Sequence, residues 1–386
     1  MRNHKLIAVL ALALAACSTP APQNTTTPMP VVTDTPIPAT STATATETSV
    51  VLSDEPALVT LTASPASTAI PTPTPTEIPV IELLFTGQIV PGRCVQAAVE
   101  SRGGADYIYD ALRPILSGAD LTISAVNGSI SDHSPKTGCV KTFVLTGGSV
   151  HAGAMAEAGI DIVSVATNHI KNCGPSNCGD QAFLDTLANL RAAGVVPVGG
   201  GLNHAEALAP VVMDIQGIRF VFVSLGQIEP RAFAGEDSPG IAILNEENLS
   251  QAVQEAGDLG DVVIALPHWG PEYVAAPNYL QLGLAKTAVA AGADLVIGNH
   301  THVIQAHEEI EGVPVFYGLG NFVFDQTWSE ETTWSIIVRV QFLGSILEKY
   351  EIIPVISTKD GTLRLAEGEE AAQILAWIEA ANDRLR

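Results

Sequence analysis

Four histidines, His169, His268, His300 and His302, each stand just after a short apolar run. Neutral amides accompany them at Gln88, Asn127, Asn168 and Asn321. Imidazole is a nitrogen donor that transition ions favour, and its second nitrogen is left to anchor the ring. His300 and His302 are two residues apart, so both reach one ion if they lie on a turn or an extended segment. Any one of these histidines alone reads as an ordinary loop residue. Together with Gln88 and Asn168 they read as one metal-ligand set, with His169 and His268 also placed to act on a substrate, although the plainer role of Gln88 is to satisfy loop amides. Glu272 is the acid nearest His268 and suits general acid or base work, unless it only starts a helix or pairs with a cation. Arg93 offers a guanidinium to an anionic substrate group. Asn127 and Asn321 are candidate substrate contacts whose plainer role is to order loops. Trp269 presents a flat face that either touches a sugar ring or fills the core. The sequence has no Gly-x-Ser-x-Gly elbow and no Gly-x-x-x-x-Gly-Lys loop, which removes the serine-hydrolase and P-loop readings.

These residues need a scaffold that brings distant strand ends together. From Val80 onward, strand-length apolar runs alternate with helix-length segments. Strands are expected at 80–85, 121–126, 160–166, 195–198, 261–266, 295–297 and 315–319. Helices are expected at 151–158, 180–193, 245–256, 279–291 and 369–386. Val211–Ile215 and Ile218–Ser224 flank Gln216-Gly217, a hairpin signature. Residues 334–342 and 350–356 read as a late antiparallel pair. The alternation predicts an α/β fold with buried strands, and such sheets carry their sites beyond the carboxyl ends of the strands.

Upstream, Met1–Lys5 is basic, residues 6–16 are apolar, and Leu14-Ala15-Ala16 precede Cys17. That is the pattern of a lipoprotein signal peptide over 1–17, with Cys17 as the lipidated residue and the membrane as a partner through the lipid. Residues 18–79 are dominated by Thr, Pro, Ala and Ser, and read as a stalk; the α/β domain spans 80–386. The location implied is extracytoplasmic and lipid-anchored. Lys and Arg number 18 against 41 Asp and Glu, a formal charge of −23 among 386 residues. Long-range repulsion therefore argues against nucleic acid as a partner. Outside the cytoplasm Cys94, Cys139, Cys173 and Cys178 invite two disulfides, and three pairings exist. The short loop between Cys173 and Cys178 makes a local bridge sterically feasible, and the pairing expected is Cys173–Cys178 with Cys94–Cys139. A Cys/His zinc site is the rival, although the CxxC spacing is absent.

The motifs at 85–93, 161–169, 268–273, 292–302 and 316–326, in that order and spacing, resemble the bacterial CapA family, the poly-γ-glutamate capsule synthesis proteins. That family is similar in fold to calcineurin-type metallophosphatases. The resemblance implies a four-layer α/β/β/α sandwich and one cleft built from strand-end loops. It also implies a role in synthesis, export or attachment of an anionic surface polymer, alongside membrane-embedded synthesis proteins. Asn168, His169, His268, His300 and His302 keep the family's residues. Gln88 stands where the family usually has Asp, Asn127 where it has Glu, Asn172 where an Asp follows, and Asn299 where it has His. Two negative charges that would compensate a pair of divalent ions are gone. A single zinc or manganese ion on the histidines remains compatible with the donors. Three readings follow: a one-metal hydrolase or transferase, a non-catalytic binding or assembly component, and a metal-free structural module.

Overall fold

Alternation along the central strands sets the layers. In the strand Val80–Ile89, Leu83 and Phe85 point to one side and Leu84 to the other. In Ile218–Gly226, Phe220 and Phe222 face one way while Val221 and Val223 face the other. Val262–His268 repeats the pattern with Val262, Ile264 and Leu266 against Val263 and Ala265. A period of two with both faces apolar is what a sheet covered on both sides requires.

The computed structural model describes residues 78–133, 137–173 and 178–385. The expected signal peptide, Cys17 and nearly all of the stalk lie outside them. Eight strands form one sheet, in the order Leu363–Leu365, Ile346–Ser357, Trp334–Leu343, Val80–Ile89, Leu121–Val126, Ile162–Ser164 and Val196–Val198, with Asn321–Val323 also paired to Val80–Ile89. Six form the other: His307–Ile310, Val313–Phe316, Leu295–Ile297, Val262–His268, Ile218–Gly226 and Val211–Ile215. The inner faces meet in one buried layer that includes Phe85, Ile123 and Ile162 from the first sheet and Phe220, Ile264 and Phe316 from the second. Helices cover the outer faces. Gly179–Ala193 lays Phe183, Leu187 and Leu190 on the first sheet. Glu246–Gly257 and Tyr279–Ala291 lay Leu249, Val253, Leu284 and Ala288 on the second. The architecture is the α/β/β/α sandwich that the resemblance implied.

Local chemistry explains the element ends. Asn278 and Gln281 form a reciprocal capping box at the start of Tyr279–Ala291. Gln216 and Gly217 both take left-handed backbone, at φ 53° and 87°. That is the geometry of a tight hairpin turn whose twist matches its strands, here Val211–Ile215 and Ile218–Gly226. The expected strand at 160–166 is confined to Ile162–Ser164, and the one at 315–319 is displaced to Val313–Phe316. In both places the chain leaves the sheet early to supply loop residues to the site. Asn321–Val323 and His307–Ile310 are strands that the apolar pattern did not disclose.

Phe85 is fully buried between the sheets. Phe85→Ala should lower the unfolding free energy by about 3–5 kcal/mol, combining lost transfer energy with a cavity that two sheets close poorly. Urea titration of the variant beside the parent chain measures it.

Candidate functional site

The parallel strands of both sheets end on one edge, and the polar residues gather there. From the first sheet come Gln88, Asn127, Asn168 and His169; from the second come His268, His300 and His302. Asn168 Oδ1 lies 2.9 Å from His268 Nε2, which joins the two sheet edges. His300 Nδ1 lies 3.2 Å from the same His268 nitrogen. His300 and His302 take positive φ values of 106° and 58°, and Thr301 stands between them. Such backbone is costly for a residue with a Cβ, and it persists where the surroundings over-determine it. It turns the pair into the interior, where both rings are buried.

A second cluster adjoins this one. The His169 backbone N–H donates to Asn127 Oδ1 at 3.1 Å, which fixes that amide's orientation. Asn127 Nδ2 therefore donates to Gln88 Oε1, at 3.0 Å. Gln88 Nε2 in turn faces His302 Nδ1 at 2.5 Å and Asn321 Oδ1 at 3.0 Å. Asn321 Nδ2 is directed to the carbonyls of Thr332 and His302, at 2.9 and 3.2 Å. Glu272 Oε1 approaches His302 Nε2 at 3.9 Å from the partly exposed side. His169 sits at the mouth, its Nδ1 2.8 Å from Asn172 Nδ2 and its ring stacked on Phe143.

These contacts bear on several of the expected roles. Gln88 turns its amide hydrogens, not its oxygen, toward His302, so it is not placed as a metal ligand. Asn127 and Asn321 are fully buried and bonded internally; they are struts and not substrate contacts. Trp269 is fully buried, donates Nε1–H to the Tyr317 carbonyl at 2.9 Å and stacks on the Tyr317 ring, so it belongs to the core. The Arg93 guanidinium is held by Asp325 through two nitrogens and lies over Phe324, so it is not free to bind substrate. His268 is buried beneath His300 and Asn168, so it is not open to substrate as a proton-transfer group. His302 stands apart from the Asn168–His268–His300 group because its Nδ1 is already engaged. Cys94 is joined to Cys139 and Cys173 to Cys178.

A cavity of about 640 Å³ opens beside His169, lined by Phe143, Lys171, Asn172, Glu229 and Arg231 among others. Phe143, Lys171, Glu229 and Arg231 were not singled out from the sequence. They lie on loops or, for Arg231, in the short 3-10 helix Pro230–Ala232, and only the fold brings them near His169.

Residues 82–326 match the family described as "Bacterial capsule synthesis protein PGA_cap". The chain belongs to this family. It is 27% identical over 278 residues to the PGA biosynthesis protein CapA of Bacillus subtilis (strain 168), covering 72% of this chain and 71% of that one. It is 28% identical over 287 residues to the capsule biosynthesis protein CapA of Bacillus anthracis, covering 71% and 67%. A solved structure of a putative 5′-nucleotidase from Staphylococcus aureus is similar at a TM-score of 0.46 and 16% identity, covering 78% of this chain and 58% of that one.

What this PGA_cap site can do follows from its electrostatics. Burial is the main reason that His268 and His300 stay well below the ordinary imidazole range; neighbouring imidazoles add to it. Both are therefore neutral, and each has one bare ring nitrogen; for His268 it is Nε2 only when the hydrogen sits on Nδ1, which has no hydrogen-bond partner. Donors about 2.1 Å from one ion stand roughly 3.0–3.4 Å apart, and the 2.9 and 3.2 Å separations here are close to that. Asn168 Oδ1, His268 Nε2 and His300 Nδ1 fit one borderline divalent ion. Among the described residues no three His, Cys, Asp or Glu side chains are grouped to hold one, so an amide completes this set and no carboxylate offsets the ion's charge.

Burial lowers His302 from 6.5 to about 4, with the neighbouring Asn321 side chain opposing and the Arg93 charge adding to the fall. The folded value lies below the unfolded one, so between the two the unfolded chain binds more protons. Stability from this residue is complete above pH 6.5 and is lost as pH falls toward 4. The loss is on the order of 3 kcal/mol. Urea midpoints of chelator-treated PGA_cap chain, taken across that range, should fall accordingly. His302→Asn should remove its share of that fall and leave the share of His169, which burial also lowers to about 4.

Proposed function

We propose that this chain acts in the synthesis, export or attachment of a capsular polymer of the poly-γ-glutamate kind, and that it cleaves or transfers that polymer with the help of one zinc or manganese ion. Family membership supports the first part. The observation that carries the second is the convergence of Asn168 Oδ1, His268 Nε2 and His300 Nδ1 at one sheet edge, all neutral and within 3.2 Å of the central nitrogen. An ion there supplies Lewis acidity toward a polymer amide or phosphoester. His169 is the group of this chain at the mouth, neutral because burial lowers it to about 4, and oriented by Asn172 and Phe143. It is suited to accept a proton from an attacking nucleophile above that pH, while Glu272, half-exposed beside His302, is the acid within reach. For an anionic polymer, Lys141 and Lys359 line a cleft of about 270 Å³ next to Trp328. These cations offer local attraction within a chain of net charge −23.

A second reading is a non-catalytic binding or assembly component on the same scaffold. The neutral amides at Gln88 and Asn127, bonded to each other where charge compensation for an ion would be needed, favour it. Among the described residues no helix is long and apolar enough to cross a membrane. The basic start, apolar run and small residues before Cys17 support attachment through lipidated Cys17, which is part of the proposal, as is pairing with membrane-embedded synthesis proteins.

Metal content distinguishes the two readings. The chain purified without chelators should carry about one equivalent of zinc or manganese, lost in His268→Ala/His300→Ala. A folded chain with no metal would end the hydrolase reading and leave polymer binding. For localisation, Cys17→Ala should move the protein from the membrane fraction to the released fraction; unchanged fractionation would rule out lipid attachment.

A further inference from the structure

The amide of Gln88 occupies the space where a second ion would bind. His302 Nδ1 and Asn321 Oδ1 lie 2.9 Å apart, a hydrogen bond only with the hydrogen on Nδ1, and both face Gln88 Nε2. Asn321 Oδ1 is fixed as an acceptor, because Asn321 Nδ2 is directed to the carbonyls of Thr332 and His302. The His169 backbone N–H fixes Asn127 Oδ1, and Asn127 Nδ2 fixes Gln88 Oε1, at 3.1 and 3.0 Å. The orientation of Gln88 is thus dictated from the backbone outward. Its NH₂ group must face the two acceptors, and its two hydrogens serve one each, at 2.5 and 3.0 Å. His302 then carries its hydrogen on Nε2, which agrees with Glu272 Oε1 lying 3.9 Å from that nitrogen.

Two acceptors aimed at one point repel unless a positive group sits between them. Partially positive amide hydrogens do so here, where a cation would serve elsewhere. An ion bound to His302 Nδ1 would lie about 2.1 Å from it. Gln88 Nε2 stands 2.5 Å from that atom, so its own volume covers the position. Gln88 is fully buried, and the strand Val80–Ile89 that carries it is central in its sheet, so the side chain has no open direction in which to withdraw.

We propose that Gln88 is a built-in occupant of a second ion pocket. It satisfies His302 and Asn321 in place of a metal and limits the site edge to the Asn168–His268–His300 position. The pocket at His302 is closed whether or not that other group holds an ion, so this inference stands apart from the metal reading above. Gln88→Asp shortens the side chain by one methylene, removes both amide hydrogens and supplies a carboxylate, and should open the pocket.

The test is calorimetric titration of the full chain, chelator-stripped, with zinc or manganese alone. Folding of each variant is checked by circular dichroism. Gln88→Asp should bind one equivalent more than the parent, and Gln88→Asp/His302→Ala should lose that equivalent again. Should Gln88→Asp bind no more than the parent, or should His302→Ala alone remove an equivalent from the parent, the inference is overturned. If the parent binds none and Gln88→Asp binds one, the occupant stands while the one-ion reading fails. If Gln88→Asp does not fold, Gln88→Asn opens the same space without a charge. Nitrogen-15 spectra of histidine-labelled protein then decide: His302 should stay in the Nε2–H form on adding metal in the parent, and Nδ1 should shift with metal in Gln88→Asn. A metal-dependent Nδ1 shift in the parent would overturn the inference.

Discussion

One backbone hydrogen bond orders the polar edge of this molecule. The His169 N–H reaches Asn127 Oδ1, and every amide beyond it is thereby oriented: Asn127 toward Gln88, and Gln88 toward His302 and Asn321. Side-chain amides are nearly symmetric in shape, so in isolation each has two equivalent settings. Here the choice is made once, by a main-chain donor, and passed along. A buried network of this kind is stabilising only when each member is satisfied.

The two sheets make that network feasible. Their inner faces are apolar, and their parallel strands end on one edge, so loops from both sheets are forced together there. The polar residues are buried beneath those loops and exchange solvent for each other. The histidines are kept neutral by the same burial. Neutrality is the common thread of the edge's buried part: amides in place of carboxylates, imidazoles without charge, and a buried ion pair, Arg93 with Asp325, closed on itself. That part holds many donors and acceptors yet little net charge.

Much of the scaffold was legible in the sequence. The helix Tyr279–Ala291 and the strands Leu121–Val126 and Leu295–Ile297 follow directly from apolar runs bounded by Gly, Asn or polar residues. The grouping of polar residues after strands disclosed the edge, because open sheets place their loops there. Two things stayed hidden. Asn321–Val323 is three residues long and is defined by its pairing with Val80–Ile89, not by its own pattern. The roles of Gln88, Asn127, Asn321 and Trp269 depend on which atoms face inward, and a residue type does not state that. For Trp269 the core was the plainer of two readings, and its packing on Tyr317 agrees with it.

The position of the strand Val80–Ile89 bears on how the chain reaches this state. It is the first strand of the described fold, yet it lies in the middle of its sheet. Val80 is opposite Leu343 and Thr86 opposite Ile337, while Gln88 pairs with Asn321. Its parallel neighbour Leu121–Val126 is available early, but the opposite flank is synthesised only after the entire second sheet. Pairings so distant along the chain close large loops before they bring any gain, and they slow folding. Half of the central strand's hydrogen-bonding edge is thus unpaired through most of the folding sequence. In that interval the newborn chain exposes a sticky apolar ribbon, and guarding it from other chains is a demand that the finished sandwich no longer makes.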